Sequence, residues 1–296
     1  MINLFHVNKL HSFVLFFFTL AFFAFNIKIE INSLNIICFF LIATIGVSHG
    51  SLDYLKGNQL LKKFNIKNKL LFYFVYIFLS LLVVVLWMIF PLITLIIFLI
   101  IASYHFGKED SVFGIIKKKK LTNLLFFLKG SLVISAPLFF NFGETIKIFE
   151  ALDVQIEMLN KNTLIIFIVL SLISNFFLGN HVFLFFVDSF TIILLNLTFG
   201  PLLAFTIYFC FLHSFRHSFT LIKEIDNVSL KNGLNVFIKK ALPLTVLTSI
   251  IFLVTLFFLN RYYFLDIAIL KVIFIGLASL TLPHILLEYI VEKNEK

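Results

Sequence analysis

The chain has 296 residues, 61% of them hydrophobic and only 13% charged, with a mean hydropathy of +1.07 and a formal net charge of +9. A soluble domain carries roughly 45–50% apolar and about 25% charged residues, so a soluble enzyme, a disulfide scaffold and a disordered chain are excluded. The positive balance reads as the loop charge that orients membrane helices rather than as a nucleic-acid footprint, and no nucleic-acid partner is expected.

Apolar runs between polar punctuation predict ten spans, near 12–27, 33–48, 70–90, 91–106, 121–140, 163–179, 181–197, 199–219, 241–260 and 267–290. A membrane helix needs about 20 such residues. The first run resembles the apolar stretch of a signal peptide, but no small-residue cleavage site follows it, so it counts as a helix. The run from Leu70 to His105 is 36 residues long and broken only by Pro91, which predicts a hairpin there. The candidates 33–48 and 181–197 are short, and Asp188 lies within the second. The expected fold is an all-α polytopic membrane bundle of about 8–10 helices, a single transmembrane domain over 1–296.

Segment 56–69 carries Lys56, Lys62, Lys63, Lys67 and Lys69 with no acid. Segments 107–120 (Lys108 and Lys117 to Lys120) and 221–240 (Lys223, Lys231, Lys239, Lys240) are also lysine-rich, whereas 141–162 holds Glu144, Glu150, Asp153 and Glu157. Lysine-rich short loops stay cytoplasmic. Ten spans place the three basic segments on one side and the acidic one on the other, with both termini cytoplasmic. Cys38 and Cys210 lie in separate apolar runs and predict no disulfide. The 43 phenylalanines accompany a chain rich in Ile, Lys and Asn, so their number alone does not argue for an aromatic channel.

Ionisable residues inside membrane helices are costly and mark candidate functional sites. His6, His11 and His181 read as interfacial. His49 (in SHGSLDYL), His105 (SYHFGKED), His213 and His217 (YFCFLHSFRH) and His284 (LTLPHILLEY) all fall in the cytoplasmic half of the predicted bundle. Four helices thus deliver imidazoles to a similar depth. His213 and His217, at i and i+4, share one helix face and can reach one ion. All-imidazole donors suit iron, copper, zinc or nickel better than magnesium or calcium. Asp53, Glu109, Asp110 and Glu288 each follow a histidine by four or five residues and are candidates to orient the rings. Solvation beside Lys108 is the plainer reading of Glu109. Arg216 points to another face and suits a salt bridge or a lipid phosphate. Gly50 and Gly107 are expected to end helices with positive φ, and Pro283 to kink the last helix towards the histidines.

The ordered set SHGSLD (48–53), YHFGKED (104–110), FGPLLAFTIYFCFLHSFRH (199–217) and FIGLASLTLPHILLEY (274–289) resembles the Brp/Blh family of membrane β-carotene 15,15′-dioxygenases, which make retinal, over about 46–290. The resemblance implies that His49, His105, His213 and His217 bind a non-haem Fe(II), and that Asp53 and Asp110 match family acids. His284 lies in a family motif with an open role as a metal ligand or an orienting residue, and Glu288 stands beside it. It further implies an iron-dependent oxygenase of the cell membrane, multi-pass and lipid-embedded, that cleaves β-carotene with O2 into two retinals, with a rhodopsin as a candidate recipient. Phe205, Tyr208, Phe209 and Phe211, on the same helix as the histidine pair, are candidates for the walls of a polyene tunnel, with ordinary packing as the alternative. The competing class is a membrane electron carrier holding b-type haem. That requires axial histidines on facing helices, whereas His213 and His217 share one. Desaturases need an HxxHH box, which is missing from the sequence.

Overall fold

A computed structural model describes residues 4–27, 29, 33–111, 121–156 and 160–294, apart from the side chains of Leu4 and His49. The described residues form helices and no strands. They run α1 (Leu4–Ala24), α2 (Leu34–Leu41), α3 (Asp53–Lys63), α4 (Leu70–Ile89), α5 (Pro91–Glu109), α6 (Thr122–Gly130) and α7 (Leu132–Phe140). Then come α8 (Phe142–Ala151), α9 (Lys161–Ser174), α10 (Val182–Thr198), α11 (Pro201–Ile207), α12 (Phe215–Ile225), α13 (Leu230–Leu259) and α14 (Leu265–Asn294).

Each predicted span is helical over most of its length. Among the described residues, seven helical segments are long and apolar enough to cross a membrane: Phe5–Ala24, Leu34–Lys63, Leu70–Ile89, Pro91–Glu109, Thr122–Phe140, Leu230–Leu259 and Leu265–Asn294. The helices Lys161–Ser174 and Val182–Thr198 are apolar but shorter. The chain from 201 to 225 is helical throughout but divided by a π-helical turn over Tyr208–Ser214. The hairpin at Pro91 is present: Phe90 leaves helical geometry (φ −133°, ψ 64°) and Pro91 opens α5, where its missing N–H costs nothing.

Two expected loops are largely helical instead. Helix α3 carries Lys56, Lys62 and Lys63, and α12 and α13 carry Lys223, Lys231, Lys239 and Lys240. Lysine is a good helix former whose long stem can run along apolar surface to reach water, so a helix need not stop where its lysines begin. Residues 117–120 and Glu157 lie outside the described residues. Between α12 and α13, Asp226 is half-buried. The amide of Ser229, the Asn232 side chain and the amide of Val228 hold its carboxyl below the ordinary range.

Two π-helical turns face each other across the bundle: Ile42–Gly46, which follows α2, and Tyr208–Ser214. Ser214 Oγ donates to the Gly46 carbonyl at 2.9 Å, and a Cβ on Gly46 would lie 2.6 Å from the Phe209 ring. Such turns insert a residue and re-aim the helix beyond them; here they lead into His49 and carry His213. Cys38 and Cys210 are buried and free.

The glycines differ from expectation. None of the described glycines has positive φ; only Asn26, Asn65 and Asp153 do. Gly107 lies inside α5, where a Cβ would come within 1.8 Å of the Phe126 carbonyl oxygen, and a Cβ on Gly130 within 1.9 Å of that of Ser103. Helices α5 and α6 therefore meet backbone to backbone through small residues, the usual means of close helix contact where lipid supplies no hydrophobic drive. Pro283 lies buried within α14.

Candidate metal centre

Helix α5 brings His105, the turn and helix over 208–225 bring His213 and His217, and α14 brings His284 to one buried place. Ring centroids lie 5.1 Å apart for His105 and His213, 5.2 Å for His105 and His284, and 5.8 Å for His217 and His284. His49 opens a 3₁₀ turn over His49–Leu52, and its side chain lies outside the described residues. Its neighbour Gly50 borders the group, with a Cβ there 4.0 Å from His284 Nδ1.

Each of three imidazoles has one nitrogen against a carboxylate. Nδ1 of His213 lies 3.1 Å from Asp110 Oδ1, that of His217 2.9 Å from Glu109 Oε2, and that of His284 2.8 Å from Asp53 Oδ2. A carboxylate beside Nδ1 favours the proton on that nitrogen and leaves the Nε2 lone pair for another partner. In two of the rings Nε2 turns towards Glu288: its Oε1 is 3.9 Å from His217 Nε2 and 3.8 Å from His284 Nε2, while Oε2 is 3.9 Å from His105 Nδ1. Lys56 and Lys108 offset part of the acidic charge, at 3.3 and 3.9 Å from Glu288, and Lys108 also meets Glu109 at 3.6 Å and Glu292 at 2.6 Å.

Two groups within this donor set, neither of which includes His213, could hold a metal ion. Ligand atoms of His105, His284 and Glu288 all lie within 4.8 Å of one another, as do those of Glu109, His217 and Glu288. Two ligands bonded at roughly 2.0–2.2 Å to one ion are about 4 Å apart or less, so small side-chain adjustments suffice.

Glu288 faces His284, four residues before it, as the sequence suggested, while the other three acids meet histidines remote in the sequence. Asp53 follows His49 yet meets His284; Asp110 and Glu109 follow His105 yet meet His213 and His217. Glu109 is not simply solvated beside Lys108. Its side chain is only 13% exposed and holds His217. Arg216 takes the salt-bridge option, bidentate to Asp188 at 2.7 and 2.8 Å, with Ser12 of α1 at 2.5 Å. That accounts for the acid inside α10. Lys129 reaches the Asp110 carbonyl at 3.3 Å and Ser111 Oγ at 3.0 Å.

A cavity of about 770 Å³ opens from this centre. His105, His284 and Asp53 border one end, and apolar residues of α4, α13 and α14 form the walls. Of the four tunnel candidates, Phe209 lines it. Tyr208 does not: it is buried and donates to Asp110 Oδ2 at 2.7 Å, so it steadies the acid behind His213. Phe205 stacks on Phe209 at 5.4 Å behind the wall, and Phe211 packs half-buried on the core. The π-helical turn over 208–214 rotates these positions away from simple helical expectation. Sequence reasoning missed Tyr76, which lines the cavity and donates to Asp53 Oδ2 at 2.9 Å. Its signal was weak: Tyr76 is one of three hydroxyls, with Tyr73 and Ser80, in the apolar run LLFYFVYIFLS, and polar groups in membrane helices seek partners.

The sequence matches the family profile described as beta-carotene 15,15′-dioxygenase over residues 40–292. It is 28% identical over 254 residues to a protein named beta-carotene 15,15′-dioxygenase from uncultured marine bacterium 66A03, covering 83% of this chain and 90% of that relative. No solved structure matches. With histidines and acids gathered at the end of an apolar cavity and the family profile spanning most of the sequence, this chain belongs to the beta-carotene 15,15′-dioxygenase family of carotenoid-cleaving enzymes.

Proposed function

We propose that this chain uses a ferrous ion to cleave the central double bond of β-carotene: one carotenoid and one O2 give two retinal aldehydes, each product carbon gaining one oxygen atom. The observation that supports this most is the meeting of four imidazoles at the end of a long apolar cavity. Residues that would hold the ion are His105, His213 and His217, with His49 as the resemblance implies. His284 and Glu288 face the same centre. Bound iron would supply the redox chemistry towards O2, which imidazole donors with open positions suit.

The chain's own residues bind, orient and exclude water. Asp53, Glu109 and Asp110 fix three imidazoles from behind, and Tyr76 and Tyr208 fix two of those acids. Lining residues on α4 run from Phe72 to Met88, sixteen positions or roughly 24 Å at 1.5 Å each. A rigid hydrocarbon that dissolves only in the bilayer can lie along such a wall without being extracted into water. His213 is 1% exposed, so this side of the centre is closed to bulk water. No proton has to be moved in the overall reaction, in keeping with carboxylates committed to holding imidazoles.

The bundle lies in the cell membrane with lipid around its exposed apolar helices and both termini cytoplasmic, on the reading that basic segments stay inside. Retinal would leave into the bilayer, where a rhodopsin could take it up. Expression in a host that accumulates β-carotene tests the activity: the colour bleaches and retinal appears. Cells that stay orange while holding well-folded protein overturn the proposal.

A further inference from the structure

Helices α4 and α13 both pack on α14, and the cavity lies between them with α14 as its floor. Its two sides are unlike that floor. Ile77 and Leu81 of α4 and Leu247 and Ile251 of α13 border the cavity and are 51–59% exposed. Val272 and Leu277 of α14 border the same space and are 4% and 5% exposed. Each exposed pair is spaced i and i+4, so it forms a stripe along one helix face. The cavity is therefore a groove, open along one side between two aliphatic rims.

The ends of the groove carry polar groups. At one end, Asp53 accepts from Tyr76 at 2.9 Å and lies 2.8 Å from His284 Nδ1. At the other, Lys271 pairs with Asp153, and the Trp87 indole N–H donates to the Leu152 carbonyl at 3.2 Å. A hydrocarbon has no donor or acceptor to replace these bonds, so its passage through either end would leave buried polar groups unpaired. The groove runs along α4 from Phe72 to Met88, so both ends also lead towards the membrane surfaces and water, where a large hydrocarbon does not dissolve. The open side carries neither cost. Acyl chains are as apolar as leucine, and the rims meet them directly.

We propose that β-carotene enters sideways from the bilayer through the opening between α4 and α13, passing the rims formed by Ile77, Leu81, Leu247 and Ile251. This rests on the reading of the cavity as the carotenoid site. The polyene slides in broadside along its length, and the polar pairs at both ends stay intact while it does so.

The full chain in detergent, kept free of iron so that nothing is cleaved, is mixed with β-carotene and captured at intervals. The colour retained measures uptake, and its loss into excess empty detergent measures release. Leu81→Trp combined with Ile251→Trp narrows the opening from both rims. Uptake and release are each expected to slow about tenfold, with the amount bound at equilibrium close to native, because a barrier on the path slows both directions alike. Leu82→Trp combined with Leu253→Trp adds equal bulk to the same two helices at positions that do not border the cavity, and both rates are expected to stay native. If either pair does not fold, Leu81→Phe set against Leu82→Phe is read in the same way. Native uptake by the rim variant, equal slowing by both pairs, or faster release with unchanged uptake overturns the proposal. A native chain that takes up no β-carotene overturns the reading of the cavity itself.

Discussion

His284 Nδ1 lies 2.8 Å from Asp53 Oδ2, although 231 residues separate them. Tyr76 donates to the same oxygen at 2.9 Å, so α3, α4 and α14 converge on one imidazole. Replacing Asp53 by Asn removes the charge that holds the proton on Nδ1. Apparent iron affinity is expected to fall about 10–100-fold, as when the partners behind metal-bound histidines are removed. Tyr76→Phe is expected to cost less, because the carboxylate remains. Metal titrations of the two purified variants check the order.

His213→Ala removes a ring that is buried between His105 and Asp110. Loss of bound metal and of turnover is expected, with membrane insertion and yield retained. Metal analysis beside a retinal assay measures both. Activity close to native removes His213 from the ligand set.

Gly107→Ala places a Cβ within 1.8 Å of the Phe126 carbonyl oxygen and forces α5 from α6, whereas Gly143 has nothing within 4 Å. Overpacking of this kind costs about 1–3 kcal/mol or more, while Gly143→Ala is expected to be neutral or stabilising by up to about 1 kcal/mol. Thermal unfolding in detergent compares them. Similar midpoints would mean that the two helices can separate freely.

Arg216 and Asp188 form a buried bidentate pair that also draws in Ser12 of α1. Removing one partner leaves a buried charge, expected to cost roughly 3–5 kcal/mol, while replacing both by apolar residues costs less. The prediction is that Arg216→Met is less stable than Arg216→Met combined with Asp188→Leu. Denaturant unfolding of the three proteins tests the order.

Much of the fold was legible because hydropathy is local. Leu70–Ile89 and Pro91–Glu109 follow from an uninterrupted apolar run and one proline. The meeting of His105, His213, His217 and His284 was foreshadowed by their equal depth in the predicted bundle. What could not be read is which helix faces which. Asp53 beside His49, and Glu109 beside Lys108, invited local pairings, yet both acids turn to histidines more than 100 residues away, because helix packing rather than sequence distance brings them together. Tyr208 looked like tunnel wall on simple helical spacing, and the π-helical turn turned it onto Asp110. Gly107 looked like a helix end, but its role, contact with α6, depends on a neighbour that a single sequence does not reveal.

The central claim is that the clustered imidazoles hold an iron required for cleavage. Retinal formed per β-carotene consumed, measured on the purified chain as isolated, after chelator stripping and after adding back Fe(II), tests it most directly. The account predicts two retinals per carotenoid, loss of turnover on stripping and recovery with Fe(II) in step with about one iron per chain. Undiminished retinal production by the stripped, iron-free protein would contradict it.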